Sequence, residues 1–352
     1  MEFTRRLFLK RAGQMSGVFV LLPVAKAIGK ATSATRHHHH HVRHRHHHDP
    51  AGYFEHTILA MGTTARIGVY ASSEEEANHV ITAAFAELKR LEALFTVFDA
   101  SSEISKLNTS AGGPLQPCST DTYSILQSAK NYSGMTGAAF DATVEPLMEL
   151  WGFRSPSKEL KALPTKEEIA TALRWVGSEH IEIGPVSNAP SARLNVPGAK
   201  LDLGSIAMGY AIDRMVSILR AEGIEHAFID ISGDMYAMGT PKGLRHGNNG
   251  WAVAIPDPRD SSRMIHWTAI MDQALSTAGN YESFVVYQAQ KFGHIMDPRE
   301  GRSANRTLSA TVIAKTGTDA DALSTASFVT GERYGETKLI LVDHEGKIGT
   351  TG

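Results

Sequence analysis

Two aspartates and three hydroxyls crowd into "TDADALSTA", Thr318 to Ala326, a stretch that otherwise reads as the opening of a buried helix. Asp321, Ser324 and Thr325 fall at i, i+3 and i+4, so a helix stacks all three on one face. Two chemistries fit. Thr318 can cap the helix, with Asp321 closing a capping-box-like pair. Alternatively, the three side chains form a cluster of hard oxygen ligands for a divalent cation.

Three other stretches have a similar character. In "DLGSIAMGYAID", Asp202 to Asp213, an acid ends a strand, Gly204 permits a tight turn and Ser205 can cap the following helix. Such a helix start offers free N–H groups and a positive dipole end to a phosphate, or it is simply a well-capped structural helix. In "GAAFDATVEPLMELWGF", Gly137 to Phe153, small residues let backbone approach a ligand, and Phe140 and Trp151 supply flat apolar surface that could equally be core. In "GHIMDPREG", Gly293 to Gly301, a histidine beside a turn of Asp, Pro and Gly is a candidate general base titrating near neutrality, or a structural histidine.

The elements that must position these groups follow from periodicity. "YFEHTILAMGTTARIGVYA" reads as two strands about a turn at Met61-Gly62-Thr63. Apolar residues recur at helical spacing from Glu74 to Leu94, and further helices are expected over Ser119–Ser133 and around Thr143–Leu150. "PSKELKALPTKEE" reads as a polar connector, with short strands after it at Ile181, Leu194 and Leu201. A helix is expected from Ser205 to about Arg220, with Met208, Ile212, Met215, Val216 and Leu219 on its core stripe. Strands follow at Ala227–Ile231, Trp251–Ile255, Ile265–Met271 and Thr307–Ala314, and the hairpin "LILVDHEGKIG" closes the chain. Hairpins outnumber βαβ alternation, which predicts an α+β fold with mostly antiparallel sheets and packed helices; the length allows one large domain or two, and two intimately joined subdomains are expected. No G-x-G-x-x-G nucleotide fingerprint is present, and the terminal "GKIGTTG" reads as a tail.

With 352 residues, 42% of them hydrophobic and 20% charged, the chain can build a sizeable core without disulfides or structural metal. Its one cysteine, Cys118, excludes an intrachain disulfide. The first 27 residues carry five of the 35 basic residues and one of the 37 acidic ones; the remaining 30 and 36 give a net charge of −6, which does not suggest a nucleic-acid partner. Paired arginines in "TRRLFLK", an apolar run from Val18 to Val24 and the small-x-small "AKA" at Ala25–Ala27 resemble a twin-arginine export signal. That implies passage through the twin-arginine translocase and a periplasmic location, with a membrane tether if residues 1–27 stay attached. The tract "RHHHHHVRHRHHHDP", Arg36 to Pro50, is a low-complexity stretch in a linker over 28–51, with imidazoles that suit Zn²⁺, Ni²⁺ or Cu²⁺. The folded domain is expected over 52–352.

Taken in order, these stretches resemble the FAD:protein FMN transferase family, ApbE, from about Ile58 to Leu341. The resemblance is carried by "MGTTARI", "FTVFDASSEISKLN", "GAAFDATVEPLMELWGF", "DLGSIAMGYAID", "FIDISGDMYAMG", "STAGNYESF", "GHIMDPREG" and "ADALSTA". It implies an ApbE-like fold and a Mg²⁺ site in which Asp321 and Thr325 are side-chain ligands and Ser205 adds its backbone carbonyl. Some members carry a further aspartate where this chain has Ser324, so a hydroxyl there makes the cluster less anionic. It also implies FAD as substrate, surrounded by Met61, Phe98, Ala139, Phe140, Asp141, Asp202, Met208 and Ile295, with Met208 standing where many relatives have Lys or Glu. His294 matches the family's histidine as general base. The implied activity is Mg²⁺-dependent transfer of FMN from FAD to a Thr or Ser hydroxyl of an acceptor flavoprotein, an exported or membrane-bound redox protein, with release of AMP. The alternatives are a Mg²⁺-dependent FAD pyrophosphatase giving FMN and AMP, a non-catalytic periplasmic flavin-binding protein, and an export protein whose function lies in metal binding by the histidine tract.

Overall fold

The computed structural model describes residues 52–242, 250–281 and 283–352; the export signal and histidine-rich linker expected over 1–51 lie outside the described residues. Strand β1 (Gly52–Ala60) turns into β2 (Thr63–Ala71) through Met61 and Gly62, at φ of 50° and 75°. Two consecutive left-handed residues give the tight turn whose twist matches an antiparallel pair. Helix α1 (Glu74–Phe95) follows, capped by Ser73 and with three glutamates in its first turn. Those carboxylates favour the positive end of the helix dipole. Its buried face, Ala77, Val80, Ile81, Ala84, Phe85, Leu88, Leu91 and Phe95, keeps the expected spacing.

Next come α2 (Glu103–Thr109), β3 (Gln116–Pro117), α3 (Thr120–Met135), α4 (Glu145–Leu150) and α5 (Lys166–Leu173). Helix α5 corrects the expected polar connector: Thr165 and Glu168 form a full capping box, and Ile169 and Ala172 are buried. The two-residue apolar face is too short for periodicity to reveal it. Strands β4 (Ile181–Val186) and β5 (Ala189–Leu194) pair with β3 in a small sheet. The strand expected at Leu201 does not form. The Asn108 side chain donates to the Leu201 carbonyl (2.9 Å) and accepts from its N–H (2.7 Å), taking the place of a neighbouring strand.

Helix α6 (Ala207–Ala221) then leads into the main sheet through β6 (Ala227–Ile231) and β7 (Asp234–Met238). The hairpin β8 (Trp251–Asp257) and β9 (Asp260–Ile270) follows, then β10 (Gln273–Gly279), β11 (Phe284–Tyr287), β12 (Gln290–Gly293), β13 (Met296–Asp297) and β14 (Arg302–Ser303). The chain ends with β15 (Ser309–Ala314), α7 (Gly317–Thr330), β16 (Lys338–Val342) and β17 (Ile348–Thr351). Eight strands form one sheet in the order β1-β2-β6-β7-β10-β15-β16-β17, antiparallel at every pairing. The α+β class with mostly antiparallel sheet is therefore the observed one.

The period of two along each strand separates the two faces. Ala227, Ile229 and Ile231 of β6 and Ala310, Val312 and Ala314 of β15 join the core shared with α1, α6 and α7. Phe228 and Ile313 point the other way, into a second cluster with Trp251, Val253 and Ile255 of β8. A third cluster gathers Leu147, Met148, Trp151, Phe153, Ile169 and Met296 under the segment that carries His294.

Candidate active site

Helix α7 is buried on nearly all sides: of its fourteen residues, twelve are buried. Its polar groups therefore need partners. The cap is Thr316, not Thr318, and Asp319, not Asp321, completes the pair, with the Thr316 hydroxyl accepting from the Asp319 N–H (3.0 Å) and donating to its carboxylate (2.6 Å). Thr318 instead donates its hydroxyl (2.5 Å) and N–H (2.9 Å) to Asp213, which also accepts from the Gly317 N–H (2.6 Å). The last acid of "DLGSIAMGYAID" is thus a cap supplied to α7 from α6. Only a tertiary contact reveals it.

The reverse contact fixes Asp321. Helix α6 begins at Ala207 after Ile206, without a side-chain cap, so Ser205 does not play the expected capping role. The Asp321 carboxylate takes that place, accepting the N–H of Gly209 at 2.9 Å and that of Met208. The helices approach so closely that a Cβ on Gly209 would run into the Gly317 carbonyl, and one on Gly317 into that of Gly209. Asp321 is 5% exposed. Burial, reinforced by the nearby Asp213 charge, pushes its carboxyl well above the ordinary carboxylate range, and the two N–H groups oppose that. Among the described residues no basic side chain pairs with Asp321. The Ser324 hydroxyl is engaged by Ser276 of β10 (3.1 Å) and by the Asp321 carbonyl (2.9 Å), whereas Thr325 is half-buried. The i, i+3, i+4 spacing therefore does not keep all three side chains on a common target, because the sheet claims Ser324.

A second group forms around Arg154, which the sequence did not single out. Its Nε donates to Glu145 at 2.8 and 3.0 Å, and its Nη2 donates to both Glu145 and Asp202. Asp202 also accepts from the Gly204 N–H (2.7 Å), and its own N–H donates to the Ala142 carbonyl (2.8 Å). The guanidinium lies 5.4 Å from the centre of the Phe98 ring, which is 81% exposed. Burial and the Asp202 charge raise Glu145, and Arg154 opposes them.

His294 is within electrostatic reach of this group, feeling the charges of Asp202 and Arg154. Its Nδ1 sits 3.1 Å from the Ser283 carbonyl, so Nδ1 carries the proton, and in the neutral ring Nε2 keeps its lone pair, with no hydrogen-bond partner among the described residues. Burial pushes the ring below the ordinary histidine range; the Ser283 carbonyl and the Asp202 charge oppose this, and Lys158 and Arg154 add to it. Asn280 holds the segment from below, accepting from the Ile295 N–H (3.0 Å) and donating to the Ala304 carbonyl (2.6 Å).

The remaining candidates fall into two sets. Met61 is half-buried in its turn, with its N–H donated to Glu92 (2.6 Å), and Met208 is half-buried in the first turn of α6. Ala139, Phe140, Asp141 and Ile295 are buried and leave little surface of their own to a ligand. Both oxygens of Asp141 are engaged, by Ser133 and the Ser178 N–H on one side and by Thr143 on the other. Phe140 packs edge-on against Tyr132, whose hydroxyl donates to Asp319 at 2.7 Å. The segments holding Asp202 and Phe98 thus meet around one arginine, whose charge also reaches His294, and those holding Met208 and Asp321 meet at one helix crossing.

The model of the ApbE family matches residues 61–344, and the chain belongs to that family. The FAD:protein FMN transferase of Vibrio cholerae is 30% identical over 250 residues, covering 70% of this chain and 72% of that protein. That of Haemophilus influenzae is 29% identical over 282 residues, covering 77% and 79%. Among solved structures, the ApbE protein of Thermotoga maritima superposes with a TM-score of 0.76 at 31% identity, covering 85% of this chain and 97% of that one. The flavin transferase ApbE of Vibrio cholerae gives 0.71 at 26%, covering 86% and 98%.

Proposed function

We propose that this chain is a Mg²⁺-dependent FAD:protein FMN transferase that acts on a threonine or serine hydroxyl of an exported or membrane-bound redox protein. One observation carries the reading: a histidine with Nδ1 committed to a backbone carbonyl and Nε2 without a hydrogen-bond partner among the described residues, held by burial below its ordinary pKa. Such a group is neutral near pH 7 and can take a proton from an attacking hydroxyl. In the step, the hydroxyl oxygen bonds to the FMN phosphorus and its proton passes to His294 Nε2. The phosphoanhydride bond to AMP breaks, and AMP leaves with the bonding pair. Positioning and charge neutralisation do most of the work in phosphoryl transfer. Phe98 and Arg154 would offer the dinucleotide a flat surface, and Asp202 would accept from an adenine or ribose donor.

The donor set suits Mg²⁺. Among the described residues no three His, Cys, Asp or Glu side chains group into a metal site by themselves. Mg²⁺ commonly needs only one or two carboxylates, completed by substrate phosphates and water. Asp321, buried with no basic partner among the described residues, and Thr325 would hold it together with the Ser205 carbonyl. When bound, it supplies positive charge to the pyrophosphate oxygens. Export through residues 1–27 to the periplasm belongs to the same proposal and rests on the arginine pair, the apolar run from Val18 to Val24 and the small-x-small site.

The test is covalent flavin transfer. The chain lacking residues 1–27 is mixed with FAD, Mg²⁺ and a membrane-plus-periplasm extract from cells without it, and flavin fluorescence is read in a denaturing gel. A new Mg²⁺-dependent fluorescent band, absent with Asp321→Ala, is expected. Free FMN and AMP without a band would make the chain a pyrophosphatase, and intact FAD a binding protein.

A further inference from the structure

We infer that Arg154 is a positioning residue for the dinucleotide, holding the Phe98 ring and the Asp202 carboxylate in place. The inference rests on the reading that this site takes FAD. Arg154 follows α4, Phe98 lies between α1 and α2, Asp202 precedes α6, and the guanidinium contacts both Phe98 and Asp202. Its Nε and Nη2 are occupied by Glu145 and Asp202, and its side chain is 25% exposed. A guanidinium is rigid and planar, so one group can donate in its plane to two carboxylates and still present a face to a ring. Lysine cannot do all three at once.

The arrangement is more than a structural tie. A largely buried ion triad is a weak source of stability, since apolar side chains of similar volume serve a fold as well. Phe98, with 81% of its surface open, contributes little to the core. An exposed ring with one face backed by a cation leaves its other face to a flat partner, and the flavin or adenine of a dinucleotide is such a partner. Asp202, held at one oxygen by Arg154 and at the other by the Gly204 N–H, keeps lone pairs for an amino or hydroxyl donor. Without Arg154, two neighbouring carboxylates would lose their shared counter-charge and the ring its support.

The experiment measures FAD affinity by quenching of flavin fluorescence, with Mg²⁺, for the unsubstituted chain, Arg154→Met, Phe98→Ala and the double variant. A melting midpoint within a few degrees of the unsubstituted chain certifies each fold. Each single change is expected to weaken FAD binding roughly tenfold, and the double variant by much less than the hundredfold product, because the two residues act as one unit. Arg154→Lys, which keeps the charge but not the planar fork, is expected to lose roughly threefold or more; it decides the matter if Arg154→Met does not fold. Unchanged affinity in the arginine variants, or losses that multiply to about a hundredfold, overturns the inference while leaving the FAD site in place. No FAD binding by the unsubstituted chain overturns both.

Discussion

His294 shows how a residue common in sequence becomes specific in place. Its Nδ1 contact with the Ser283 carbonyl selects the tautomer, and burial lowers its pKa. Because the folded pKa is lowered, the ring stays neutral as pH falls to about 6.5, the ordinary histidine value. Transfer rates should therefore hold across neutral pH and fall only as pH drops through the lowered pKa. A rate–pH profile with its acid limb above about 6.5 would contradict the assignment of His294 as base. Replacing His294 with alanine should lower turnover by roughly 10²–10⁴ while FAD affinity changes little. Turnover measured at saturating FAD checks the first part and a binding titration the second.

Among the elements, the crossing of α6 and α7 places the metal candidates. Asp213 caps α7 and Asp321 caps α6, so each helix supplies the other's missing acceptor, and the Gly209–Gly317 contact lets the backbones come close enough. Gly209→Ala should force the helices apart and break the Asp321 bond to the Gly209 N–H. The expected cost is about 1–3 kcal/mol in urea unfolding, typical of overpacking a tight contact. Mg²⁺-dependent FAD binding should weaken with it. If stability fell but Mg²⁺ dependence stayed intact, the crossing would be structural only. The motifs at these helix starts were legible as acid-and-hydroxyl clusters, but their roles were not. Thr318 looked like the cap because it begins the acid-hydroxyl run, yet Thr316 holds the N-cap backbone conformation and Asp213 comes from 105 residues away for its bond to Thr318.

For the molecule as a whole, the eight-stranded sheet carries α1, α6 and α7 on one face, while the third apolar cluster supports the histidine segment. If Mg²⁺ and FAD bind the folded chain together, FAD at about a hundred times its Kd adds about 2.7 kcal/mol of stability. The thermal midpoint should then rise by several degrees with FAD plus Mg²⁺ and hardly at all with FAD plus EDTA. Equal shifts in the two conditions would separate FAD binding from the metal. No helix among the described residues is long and apolar enough to cross a membrane.

The sequence by itself determined the α+β class, the long amphipathic helices, the Met61-Gly62 hairpin and the order of the motifs that mark the family. These depend on local periodicity, turn chemistry and residue type, which neighbours along the chain set. It did not disclose Arg154, whose partners Glu145, Asp202 and Phe98 share no periodic spacing with it, or the exchange of caps between Asp213 and Asp321. Nor could it show that Ser324 would turn to Ser276 while Asp321 went to Gly209. Those choices belong to the tertiary structure, because a buried polar group must be satisfied by whatever donor or acceptor packing brings near, however far away it lies in the chain.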